Sequence, residues 1–214
     1  RPGALEALVA HLEAHPEAGA VGPLLRYPDG SVQSSRRRFP DLLALLAEAT
    51  PIEWHWPGHP VARRMRMDDV PPDRPHAVDW LNGAAVLLRT EALAAAGGFD
   101  ERYFMYSEEL DLFRRIRDAG WAVHFTPAAE VIHHEGQSSG QVPAARQLRF
   151  VRSRVRYAAL HHGRAAALLV DAGIRAQFAL ELVLEAAKWA LGHKRALRAE
   201  RVRGHWAVVK GERA

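Results

Sequence analysis

Apolar residues recur at helical steps in Leu5, Leu8, Val9 and Leu12, which predicts a first helix that must stop before Pro16. Gly19 to Arg26 follows as an apolar strand, Ala-Val-Gly-Pro-Leu-Leu, and Pro28-Asp29-Gly30 is a tight-turn signal leading into Val32. Asp41 is placed to cap a short helix carrying Leu42, Leu43, Leu45 and Leu46. From Pro51 to Pro75 the prolines recur and the periodicity vanishes, the pattern of a long loop of the kind that forms lids or binding segments. Val78 to Arg89 begins polar and ends in Ala84-Ala85-Val86-Leu87-Leu88, a buried-strand pattern, after which a helix from Glu91 to Ala96 is closed by Gly97. Ser107 reads as the N-cap of a further helix that Gly120 ends. Ala122 to Phe125 and Glu130 to His134 read as two short strands about Thr126-Pro127, and Gly136, Ser138, Ser139 and Gly140 as a flexible loop.

Beyond Pro143 the chain turns helical. Leu148, Val151, Val155, Ala158 and Ala159 give one apolar face, and Leu168 to Leu191 is more apolar still. Asp171, Arg175, Glu181, Glu185 and Lys188 interrupt that second stretch, so it reads as amphipathic packing helix and not as a membrane span. The expected layout is therefore an α/β domain over residues 1–142 and a helical region over 143–214.

Charge sharpens this division. Residues 146–214 hold 15 Lys and Arg against 5 Asp and Glu, whereas residues 1–145 hold 14 against 20, so a formal net charge of +4 conceals an acidic domain and a basic tail. Such a tail suits an anionic membrane surface, where each cation is worth roughly 1 kcal/mol. Nucleic acid is disfavoured, because no recognition motif or set of stacking aromatics accompanies the charge. With 48% hydrophobic residues the chain can bury a core, and the absence of cysteine excludes disulfides and thiolate-bound metals. No internal repeat and no pattern of a secretion signal occurs within these residues.

The densest chemistry lies at Ser107-Glu108-Glu109-Leu110-Asp111-Leu112. Glu108, Glu109 and Asp111 place three carboxylates in the first turn of a helix, where they answer its dipole. On a 3.6-residue period Glu109 lines up with Leu112, Phe113 and Ile116, which sets its carboxylate at the head of the apolar face, with Glu108 and Asp111 toward the edge. A carboxylate aimed at a core has a raised pKa and a fixed direction, as a general base requires.

The succession Trp80-Leu81-Asn82-Gly83-Ala84, Gly97-Gly98-Phe99-Asp100-Glu101, Phe104-Met105-Tyr106, Glu108-Glu109-Leu110-Asp111-Leu112, Arg115, Gly120-Trp121 and His133-His134-Glu135-Gly136-Gln137-Ser138 resembles the second half of a family-2 glycosyltransferase of the rhamnosyltransferase-like kind. The resemblance runs from residue 1 to about residue 160. It implies a partial GT-A (Rossmann-like) nucleotide-diphospho-sugar transferase domain and an inverting transfer of sugar, with rhamnose as the suggested donor sugar, to a hydroxyl of a glycan or lipid-linked acceptor in cell-surface polysaccharide synthesis. It implies Glu109 as the base, beside Glu108 and Asp111, where the family usually carries Glu-Asp. Trp80, Asn82, Gly83, Ala84, Arg115 and Arg37 are the implied substrate contacts. His133 is the implied metal or phosphate ligand. The implied cofactor is a divalent cation, Mg or Mn, and the implied location is cytoplasmic, at the inner face of the plasma membrane.

In the family a metal-binding Asp-x-Asp precedes the first helix, and none occurs here. The chain also opens on Arg1-Pro2-Gly3. The expectation is thus of a chain that begins in mid-protein, with the nucleotide pocket and most of the metal site elsewhere, and that is inactive alone. Asp68-Asp69 is a poor substitute, since hard cations need convergent oxygens on a fixed frame. Arg36-Arg37-Arg38 reads either as solvated surface or as a phosphate contact, and Trp54 and Trp56 either as sugar or lipid contacts or as loop anchors. Two other functions compete. One is a non-catalytic glycosyltransferase-like module that binds a partner subunit or a membrane. The other, a hydrolase, needs carboxyls about 5–9 Å apart across a substrate, which first-turn neighbours do not readily span.

Overall fold

A computed structural model describes residues 1–50, 52, 56–134 and 143–211, with only the backbone of 143–147. Trp54 and the Gly/Ser loop after His134 lie outside the described residues. Two compact units result: Arg1–Pro40, Pro60–Tyr103 and Glu108–Glu135 form the first, and Asp41–His59, Phe104–Ser107 and Gly136–Ala214 the second.

The first unit is α/β. Helix α1 (Ala4–Ala14) leads into β1 (Ala18–Arg26), which is buried from Ala18 to Leu25, as its apolar run requires. β1 pairs in parallel with β7 (Ala122–Ile132). Around this pair lie β2 (Val32–Gln33), β4 (His76–Val78) and β6 (Leu87–Leu88), all antiparallel, in the order β2-β1-β7-β4 with β6 also on β1. A separate two-stranded ladder joins β3 (Arg36–Arg37) to β5 (Trp80–Leu81).

Both faces of the main sheet are covered. Leu112, Phe113 and Ile116 of the acidic helix, Glu108–Asp118, pack with Ala20, Val123 and Phe125 on one face. Leu8 and Leu12 of α1 pack with Val21 and Ala129 on the other. Gly19 lets the layers approach: a Cβ there would stand 2.7 Å from Ala92 Cβ and 2.8 Å from Trp121 Cβ.

Three sequence expectations change here. The two strands foreseen on either side of Thr126-Pro127 are one, β7, whose register against β1 shifts between Pro23 and Leu24. Proline cannot donate to the ladder, so the chain bulges locally, with Ala128 N donating to Thr126 Oγ1, and then resumes pairing. The run Ala84 to Leu88 is strand only at Leu87–Leu88, and Gly83 and Ala84 are exposed. The proline-rich loop contains a one-turn helix, α3 (Pro60–Met65), with Ala62 and Met65 buried.

The second unit is helical. It comprises α2 (Leu42–Glu48), α6 (Pro143–His161), α7 (Arg164–Ala190) and α8 (Arg195–Lys210). Asp41 caps α2 as its sequence predicts, accepting from Ala44 N at 2.8 Å. Phe104-Met105-Tyr106 belongs to this unit by contact: Ser153 donates to Met105 O, Arg149 lies over the Phe104 ring and Tyr106 meets Phe150 edge-on. Inside the unit Glu185 is buried and held by Arg198 at 2.6 Å, which keeps its carboxyl below the ordinary range although burial alone would raise it.

Candidate active site

Helix α4 (Thr90–Ala95) ends in two glycines, Gly97 and Gly98, with φ of 76° and 73°, a left-handed pair that only glycine adopts cheaply. Their amides return to Ala94 O and Leu93 O, and the chain then passes through Asp100, whose carboxylate grips the Arg102 side chain. The acidic helix α5 (Glu108–Asp118) follows. Tyr106 and Ser107 enter it with φ of 70° and 62°. Ser107 is therefore not in the extended conformation of an N-cap serine. Two successive non-glycine residues in this region cost about 1–3 kcal/mol each, and such strain gathers at functional sites. Nothing in the local sequence signals it.

The three carboxylates take distinct positions. Asp111 is the deepest at 1% exposure, whereas Glu108 and Glu109 are half-buried. The expectation that Glu109 heads the buried face is corrected to that extent. The cause is Arg115, one turn on, whose Nε and Nη2 reach Asp111 Oδ2 at 2.8 Å. Its Nη1 donates to Gly98 O at 2.7 Å and to Ala96 O. Asp111 and Arg115 thus clamp the glycine turn to α5.

Glu109 faces the opposite way, onto the Trp80–Ala84 segment. A Cβ at Gly83 would stand 3.6 Å from Glu109 Cβ and Cγ, so the bare glycine backbone lies along the glutamate stem. Oε2 of Glu109 and Oε2 of Glu108 are both shielded from solvent. Asn82 shapes this segment: its amide donates to Ser35 O at 2.9 Å, and its Oδ1 accepts from Ala84 N at 3.0 Å. Trp80 lies opposite Arg37 in the β3-β5 ladder and donates its indole N–H to Arg38 O at 2.9 Å. The structure thereby gathers Glu109, Gly83, Asn82 and Ala84, with Trp80 and Arg37 one ladder step away, and sets Asp111 and Arg115 behind them as support.

The triple arginine is neither a solvated run nor a uniform phosphate patch. Arg36 is buried, donates to Val70 O and lies over the Phe125 ring, and burial pushes its guanidinium below the ordinary value. Arg37 donates to Ser34 Oγ, and Arg38 pairs with Asp69 at 2.7 Å. Asp68 stands 3.6 Å from Arg66, so both members of the Asp68-Asp69 pair have arginine neighbours.

His133 lies just past β7, its amide bonded to Arg26 O and its Nδ1 3.0 Å from Gln33 Oε1. A glutamine oxygen only accepts, so Nδ1 is the donor in this contact. Among the described residues no further pair of His, Asp or Glu side chains converges on it. The described residues around His133 therefore do not form a complete cation site. Trp56, in the second unit, is exposed.

A family model described as "Glycosyltransferase like family 2" matches residues 57–153, a segment that contains Gly83, Glu109, Arg115 and His133 but not Arg37. An "N-acetylglucosaminyl-diphospho-decaprenol L-rhamnosyltransferase" of Mycobacterium tuberculosis is 44% identical over 147 residues, 67% of this chain and 46% of that relative. The chain belongs to the family-2 glycosyltransferases. "O-antigen biosynthesis protein RfbC" of Myxococcus xanthus is 30% identical over 64% of the chain and 10% of the relative. "Rhamnosyltransferase WbbL" of Escherichia coli is 42% identical over 57 residues, 27% of the chain and 22% of the relative. The chain thus spans about half the length of the mycobacterial relative it matches.

Proposed function

We propose that this chain is the acceptor-side part of an inverting glycosyltransferase in which Glu109 is the base. The observation that carries the reading is the seating of Glu109, its stem against the Gly83 backbone and one carboxylate oxygen shielded from water at the head of α5. An exposed dipole partner needs neither feature. In the reaction Glu109 accepts the proton of an acceptor hydroxyl while that oxygen bonds to the anomeric carbon from the side opposite the nucleoside diphosphate. The bond from that carbon to the diphosphate oxygen breaks, and its electron pair leaves with the diphosphate. Single displacement inverts the centre, in parallel with inverting glycosidases. A bound divalent cation neutralises the leaving diphosphate. Among the described residues His133, held through Nδ1 by Gln33, is placed to touch either group.

Gly83 and Ala84, exposed in the turn after β5, offer the acceptor a backbone surface, and Arg37 lies across the ladder from Trp80 of that strand. By similarity to the mycobacterial relative, the donor is a nucleotide-activated L-rhamnose and the acceptor an N-acetylglucosaminyl-diphospho-polyprenol. In a full-length version of this protein, Glu109→Gln keeps the shape and removes proton acceptance, so transfer between these substrates is expected to fall by about 10²–10⁴ with donor affinity nearly unchanged. Turnover within about tenfold of the parent overturns the assignment.

The helical unit is proposed to dock on an anionic membrane that bears the acceptor. Leu169, Leu180, Val183, Leu184 and Leu191 repeat at helical spacing along α7 and its C-cap, and each is exposed, Leu191 at 85% and Val183 at 65%. Among the described residues no helix is long and apolar enough to cross a membrane. An exposed apolar stripe on a cationic unit suits the interfacial mode.

A further inference from the structure

The face of the sheet away from α5 carries a group of side chains that the transfer reaction does not use. His11 and His15 stand one turn apart at the end of α1, and His124 stands on β7 between Val123 and Phe125. Those two neighbours belong to the core against α5, so strand alternation turns His124 to the α1 side. There the three imidazoles meet. His11 Nε2 is 3.1 Å from His124 Nδ1, the His11 and His15 rings stack at 4.1 Å, and one ring nitrogen from each residue lies within 4.8 Å of the other two.

We propose that His11, His15 and His124 bind a divalent transition-metal ion of the zinc class and so tie the end of α1 to β7. Three imidazoles are a donor set for zinc and not for the hard, oxygen-seeking cations of nucleotide-sugar chemistry, which makes this a separate site. Zinc–nitrogen bonds of about 2.0–2.1 Å in a tetrahedron set neighbouring nitrogens roughly 3.3 Å apart, so the His11–His124 spacing is close to that of a formed site and side-chain adjustment closes the rest. The outer groups are in place as well. His15 Nδ1 lies 2.8 Å from His11 O, which fixes its proton there and leaves Nε2 for the metal. His124 Nε2 faces the Glu17 carboxylate at 3.8 Å, the arrangement that raises a ligand's basicity when Nδ1 holds the ion. Without an ion the 3.1 Å approach of His11 and His124 is a hydrogen bond in which one ring nitrogen donates to the other, and a bound metal would take the place of that proton.

The test is a titration of untagged protein with Zn²⁺ at neutral pH, by calorimetry and by competition with a chromophoric chelator. One ion per chain is expected, with a dissociation constant on the order of micromolar or tighter. His11→Gln, His15→Gln and His124→Gln should each weaken binding by at least about tenfold, Glu17→Gln should weaken it less, and His193→Gln should leave it unchanged. A second measurement needs no variant: Co²⁺ added to the parent protein should shift or broaden the ring signals of three of its 12 histidines at one equivalent and give the visible bands of a tetrahedral site. The proposal is overturned if no stoichiometric site appears, if His124→Gln binds as the parent does, or if Co²⁺ perturbs other histidines first.

Discussion

Replacing Asp111 by asparagine tests whether the deepest carboxylate of α5 is a clamp or a reacting group. Asp111 is 1% exposed and takes two 2.8 Å contacts from Arg115, which in turn holds the carbonyls of Ala96 and Gly98. Asparagine keeps the volume but removes the charge, leaving the guanidinium with two carbonyls and a neutral amide. Breaking a buried ion pair from one side costs about 3–5 kcal/mol. The Arg115 side chain is 27% exposed and regains some hydration, so the lower end, about 3 kcal/mol, applies. For a chain of this size 1 kcal/mol moves the melting midpoint by about 2–4 °C, which predicts a fall of roughly 6–12 °C for Asp111→Asn by scanning calorimetry. Arg115→Lys, which keeps charge but loses the fork, should fall by less. Transfer activity assayed well below the new midpoint should stay within about tenfold of the parent, because the clamp acts through folding. A midpoint shift under about 2 °C would show that the pair contributes no more than a surface ion pair. An unshifted midpoint with activity lost by a thousandfold would return Asp111 to the chemistry.

Gly19→Ala should destabilise the sheet unit by about 1–3 kcal/mol, since its Cβ would meet Ala92 Cβ at 2.7 Å and Trp121 Cβ at 2.8 Å; a denaturation midpoint equal to the parent's refutes that packing. Burial lowers the pKa of His11, His76, His124 and His205 below the ordinary 6.5, so below 6.5 the unfolded chain binds protons that the folded protein does not. Stability from this source is complete above 6.5 and is lost as pH falls beneath it; a melting midpoint that is flat from pH 7.5 to about 5.0, with no difference between the parent and His76→Gln, contradicts it. Vesicles containing anionic lipid should retain the protein at low salt and release it near 1 M, where the Debye length is about 3 Å, and a variant ending at Gln141 should not be retained; equal recovery of the two would assign the tail to packing alone.

Local patterning determined a good part of this protein. The periods of α1 and of α5, the apolar run of β1, the cap at Asp41 and the glycine pair after α4 are each signals carried within a few residues, and the linked motifs from Trp80 to His133 carry the family. Which carboxylate is buried was not legible, because a helical period orders side chains around one axis and says nothing of what stands against each side. Arg115 reaching two carbonyls 17 and 19 residues earlier decides that Asp111 goes inward. Gly83, 26 positions before Glu109, decides where the glutamate lies. The strained entry at Tyr106-Ser107 and the burial of Arg36 under Val70 and Phe125 likewise depend on packing and not on propensity. The three histidines show the limit most clearly: the four-residue step from His11 to His15 is visible in the sequence, but only the parallel pairing of β1 with β7, below α1, brings His124 to them from 109 residues away.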